Sequence, residues 1–197
     1  MNGKLLLQTL VKFIVGLVVI SLLLFLPAGT VHFWNGWLLI SVLFVPMFLL
    51  GIILLIKAPD LLAKRLNTRE KESEQKQVIL LSFLMFVSGF IVSGLDFRFG
   101  WSHLPSWLAV LVAILLVAAY GMYAEVMREN AYLSRTVEVQ ENQQVIDTGL
   151  YGVVRHPMYT ATVILFLAMP LVLGSIPSFI IFLLYPFLLV KRIRNEE

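Results

Sequence analysis

The residues able to do chemistry gather in one stretch of this 197-residue chain, Gly149-Leu-Tyr-Gly-Val-Val-Arg-His-Pro-Met-Tyr159, which sets a guanidinium, an imidazole and two tyrosines against an apolar run. Pro157 suits the first turn of a helix, where its missing N–H costs nothing. Arg155 and His156 then stand at the mouth of that helix, where unpaired N–H groups and the macrodipole favour an anion. Tyr151 and Tyr159 add ring faces suited to a cation or a flat ring. The same residues also suit an interfacial anchor, because basic side chains and tyrosines collect at headgroup depth. Spacing alone leaves both readings open.

The elements that must position this stretch are apolar. Hydrophobic residues make up 59% of the chain and charged ones 14%, and the mean hydropathy is +0.90. Lipid is therefore the solvent for most of it. Apolar runs lie at 5–27, 33–56, 78–95, 107–127, 158–173 and 176–190. A crossing takes roughly 20 residues, so these runs predict an all-α, polytopic membrane helical bundle of about six transmembrane segments in a single domain, 1–197. The last two are short and form a tight helical hairpin about Gly174-Ser-Ile-Pro177. The first run reads as a retained helix, not a cleaved signal. Trp34 and Trp37, then Trp101 and Trp107, fit an aromatic belt. Ser82, Ser88, Gly89, Ser93 and Gly94 in the third run, and Ala109 and Ala113 in the fourth, permit close helix approach. Asp96–Ser106 reads as a loop. Pro59–Leu66 is amphipathic and reads either as a surface helix or as part of a solvated loop. Weak alternation over 136–146 suggests a small hairpin outside the bilayer.

Charge then orients the bundle. With the N-terminus inside, Lys4, the six Lys/Arg of 57–77, Arg128, Arg135, Arg155 and the three at the C-terminus share one side, against Arg98 on the other. The positive-inside rule therefore places both termini, and the segments 125–157 and 191–197, in the cytoplasm. The chain has no cysteine, which excludes disulfides and thiolate chemistry. Its three histidines are far apart in sequence, so no metal site is expected. The net charge of +3 reads as membrane topology and not as nucleic-acid binding.

The run from Asp147 through Arg155-His-Pro-Met-Tyr159, a hydrophobic hairpin and then Arg192-xxx-Glu196-Glu197 resembles the isoprenylcysteine carboxyl methyltransferase family. Leu26-Pro-Ala-Gly-Thr30, Glu70–Lys76 and Met127–Val139 resemble its bacterial branch. Phospholipid N-methyltransferases are similar in the same C-terminal region. The resemblance implies S-adenosylmethionine (SAM) as methyl donor, a membrane lipid or lipidated acceptor, and a multi-pass protein of the bacterial inner membrane. It implies a pocket built from the Arg-His-Pro segment and the Glu-Glu pair. Within it, Arg155 and Glu196 are the candidate catalytic residues. Val145, Leu150, Tyr151, His156, Pro157, Tyr159 and Glu197 are the candidate cofactor-binding residues. Arg155 has two candidate partners, the SAM carboxylate and an acceptor carboxylate or phosphate. Relatives run on past the Glu-Glu pair by roughly 30 residues, about the size of a helix and its loop, expected to help close the pocket. A non-enzymatic membrane scaffold is the contrasting reading.

Overall fold

The computed structural model describes residues 3–66, 73–130 and 148–196. Eight α-helices are present among them: α1 (Gly3–Ala28), α2 (Trp34–Lys57), α3 (Pro59–Leu66), α4 (Ser73–Phe99), α5 (Ser106–Glu129), α6 (Pro157–Val172), α7 (Ile176–Phe182) and α8 (Tyr185–Glu196). A 3₁₀ turn, Gly149–Gly152, precedes α6. Strands are absent among the described residues. The all-α membrane bundle is therefore as expected. Five segments are long and apolar enough to cross a membrane: α1, α2, α4, α5 and the joined stretch Ile176–Ile193. The 16-residue α6 is apolar but shorter. The hairpin expected over 136–146 lies outside the described residues.

Backbone chemistry explains the ends. Gly29 and Gly100 take φ of +68° and +65°, the left-handed conformation in which glycine closes a helix without strain. Closure at Gly100 corrects the expected loop over Asp96–Ser106. α4 runs on to Phe99, so Asp96 and Arg98 are helical, and the Gly100 and Trp101 N–H groups both donate to the Asp96 carbonyl. The expected last helix is also divided. Pro186 has no N–H to offer the Phe182 carbonyl, and the helix breaks at Leu183–Leu184 before resuming as α8. Pro46 and Pro170, by contrast, sit within unbroken helices.

Close packing follows the small residues. A Cβ on Gly89 would lie 2.3 Å from the Phe182 ring, and one on Gly94 would lie 2.5 Å from the Leu24 carbonyl oxygen. These glycines let α7 and α1 lie directly against α4. Ala109 and Ala113 are buried on the α5 face. Ser88 does not join this packing, being exposed, and its hydroxyl donates to the Met85 carbonyl in its own helix.

A polar clamp holds the end of the bundle away from the Arg-His-Pro segment. Asp96 is buried, and its carboxyl accepts from the Ser102 N–H and the Ser102 hydroxyl, both at 2.7 Å. Ser102 Oγ in turn accepts from the Ile176 N–H at 3.1 Å. The buried Asn35 amide donates to the Val172 carbonyl at 2.7 Å. Asp96→Ala removes two acceptors from Ser102, which is half-buried at this end of the bundle. Unmade buried hydrogen bonds cost about 1–3 kcal/mol. Thermal unfolding in detergent should therefore show a lower midpoint, with the Asp96→Asn variant losing less.

Candidate functional site

The end of α5 builds the approach to the Arg-His-Pro segment. The helix stops at Glu129 with Asn130 as its cap. Glu129 Oε2 accepts from the Leu150 N–H at 3.2 Å, and Asn130 Nδ2 donates to the Tyr151 hydroxyl at 2.9 Å. Gly149 takes φ +53°, and a Cβ there would lie 1.7 Å from Glu129 Oε1. The turn therefore depends on glycine for both its backbone and its space. Leu150 and Tyr151 then pack with Leu61, Val126, Met127 and Met158, which ties the turn to α3, α5 and α6.

Pro157 is the first residue of α6 and fully buried, with His156 as N-cap. The His156 and Tyr159 rings lie 5.7 Å apart, centre to centre, at 31°. Arg155 is exposed beside them. The structure thus brings Leu150, Tyr151, Arg155, His156, Pro157 and Tyr159 to one helix mouth. Glu196 is the last residue of α8, at the same end of the bundle, and its side chain is not among those described. Val145 and Glu197 lie outside the described residues.

A cavity of about 650 Å³ adjoins this mouth, within the size range of ligand pockets. Tyr159 and Met158 wall it from α6, and Tyr123 from α5. Its body is apolar. Phe86 meets Phe166 at 4.7 Å and 90°, and Phe166 meets Tyr185 at 4.5 Å and 72°, edge-on arrangements that ring quadrupoles favour. Two guanidinium residues, Arg65 of α3 and Arg192 of α8, also line it. No carboxylate lines it among the described residues. The described residues hold no cluster of three or more metal-ligating side chains.

Sequence reasoning passed over Arg65, Tyr123, Thr162 and Tyr185 as site residues. Some signals were present. Arg65 stands four residues after the buried Leu61, and Thr162 three after Tyr159, so each shares a helix face with a packed residue. In the sequence Arg192 stands out only as part of the C-terminal Arg-xxx-Glu-Glu motif.

These features define an integral membrane protein whose polar groups converge, at one end of a helical bundle, on a largely apolar cavity. Residues 107–197 match the model of the Isoprenylcysteine carboxyl methyltransferase (ICMT) family. The match covers α5 through α8 and bears out the resemblance carried by Arg-His-Pro-x-Tyr. It supports a membrane methyltransferase of that type. Searches of curated proteins and of solved structures gave no match.

Proposed function

We propose that the protein is a SAM-dependent methyltransferase acting on a lipid-embedded acceptor, by carboxyl O-methyl transfer. One observation carries this reading. The mouth of α6 and the lipid-sized apolar cavity share Met158 and Tyr159, so a polar donor and an apolar acceptor can meet at one helix turn.

The residues at the mouth fit SAM chemically. The first turn of α6 and the Arg155 guanidinium suit its carboxylate. The His156, Tyr151 and Tyr159 rings suit an adenine and a sulfonium. Leu150 suits an apolar wall, and by the family resemblance Val145 is a further candidate for that wall and Glu196 and Glu197 for the ammonium. When bound, SAM supplies a methyl group on a sulfonium that departs as a neutral thioether. A carboxylate acceptor brings its own electron pair, so no base has to remove a proton from it. The protein's task is then alignment, which can supply a large share of the barrier reduction. Arg155 has a second candidate role, holding the acceptor's own anion. We place this end of the bundle in the cytoplasm, where SAM is available, on the charge asymmetry of the loops.

Calorimetry of SAM binding to detergent-purified protein tests the reading. Arg155→Ala should weaken SAM at least tenfold, about 1.4 kcal/mol. Incubation of membranes with methyl-labelled SAM should place label in the lipid or lipidated-protein fraction. No SAM binding to the full-length chain, together with no transferred label, would leave the scaffold reading in its place.

A further inference from the structure

We propose that α3 is the head-group selector of this cavity, with Arg65 as the residue that makes the site specific for a single-chain amphiphile with an anionic head. The inference deepens the reading of the cavity as the acceptor site and rests on it.

α3 is held in place from two sides. Leu61 and Leu62 are buried, and Leu61 packs with Val126 and Met127 of α5. At its far end the Lys12 ammonium of α1 donates to the Leu66 carbonyl, a cation at a helix C-terminus, where the macrodipole favours it. This contact gives a physical role to the lysine embedded in the otherwise apolar start of α1. Arg65 lies one residue before that capped end. Its guanidinium lies over the Tyr123 ring, 5.3 Å from the centroid, and Nη1 is 4.0 Å from Met158 Sδ. Both contacts are with cavity-lining residues, so they direct the guanidinium along the wall.

The chemistry of the wall then limits the occupant. A guanidinium fork matches a carboxylate or phosphate through paired hydrogen bonds, which an ammonium cannot reproduce. Arg192 adds a second fork from α8, and the remaining surface, including Val78, Ile79 and Leu188, suits a hydrocarbon chain. α3 also lies outside residues 107–197, so the selecting cation comes from a part of the chain that the family match does not cover.

The test measures binding of three labelled probes with one oleoyl chain each to the full-length protein in detergent, without SAM: oleate, oleoyl lysophosphatidate and oleoyl lysophosphatidylcholine. Wild-type protein should bind one or both anionic probes at least tenfold more tightly than the zwitterion, and the better anion distinguishes a carboxylate from a phosphate head. Arg65→Gln should abolish that preference, leaving calorimetric SAM binding unchanged. Arg65→Lys should restore part of it. Lys12→Met, with Arg65 intact, should reduce it by a smaller factor. Equal binding of all three probes to the wild type would overturn the proposal, as would unchanged anion preference in Arg65→Gln. Anion preference that follows Arg65 in a protein that fails to bind SAM would sink the methyltransferase reading and leave the selector standing.

Discussion

Gly149→Ala is expected to lower SAM affinity at least tenfold while the helical circular dichroism of the protein stays unchanged. The residue stands at φ +53°, where an L side chain costs about 1–2 kcal/mol. Its new methyl group would also enter the space of the Glu129 carboxylate. That carboxylate is the end of a flexible side chain, so it will swing aside rather than push the backbone. In doing so it gives up the Leu150 N–H, a bond whose net worth is about 1 kcal/mol. The 3₁₀ turn then loses its fixed relation to α5, and Arg155 and His156 shift with it. A double-mutant cycle isolates the mechanism. In a Glu129→Ala background the Gly149→Ala penalty should shrink to the backbone strain alone, a coupling that contacting residues show and distant ones do not. Additive penalties would mean that Glu129 does not hold the turn.

The second large effect concerns assembly. Gly94→Val is expected to destabilise the bundle by about 1–3 kcal/mol, the usual cost of overpacking a well-filled interior. Here the obstacle is backbone. Even a single Cβ would lie 2.5 Å from the Leu24 carbonyl and 3.1 Å from the Ala28 nitrogen, so α1 must move bodily. Gly121→Val is the matched control, because nothing lies within 4 Å of its Cβ position. Thermal unfolding in detergent should separate the two variants by several degrees, and coincident midpoints would show that α1 does not depend on this contact. The damage should also reach the cavity, since Lys12, which caps α3, rides on α1.

The fold was legible because its main signal is hydropathy over long windows, and lipid enforces helices wherever such windows occur. The small-residue faces were legible for the same reason at Gly89 and Gly94, whose value lies in what they lack. The break at Leu183–Leu184 was less so. A proline inside an apolar run can kink, break or be absorbed, and Pro46, Pro170 and Pro186 show that only the surroundings decide. At the site, Pro157 announced the start of α6, and the aromatic pair His156 and Tyr159 follows from that register. Arg65 was hidden because its meaning depends on a tertiary fact, the docking of a short amphipathic helix against α5. Glu129 was hidden in a similar way. Its partner Leu150 is 21 residues distant, and a helix-terminal glutamate ordinarily faces solvent.

The shortness of α6 bears on where the proposed reaction would take place. Its far end is pinned by Asn35, beside Trp34 at the start of α2, and through Ile176 to Ser102, just before α5. From there its 16 residues rise only about 24 Å, against a hydrocarbon thickness of about 30 Å. With the far end of α6 at one face of the hydrocarbon, the helix mouth with its arginine and histidine would lie roughly 6 Å short of the opposite face. A thinned bilayer, or water drawn down over the mouth, meets such a mismatch. On the proposed reaction, a water-soluble donor would descend to the lipid and the acceptor would react without leaving its leaflet.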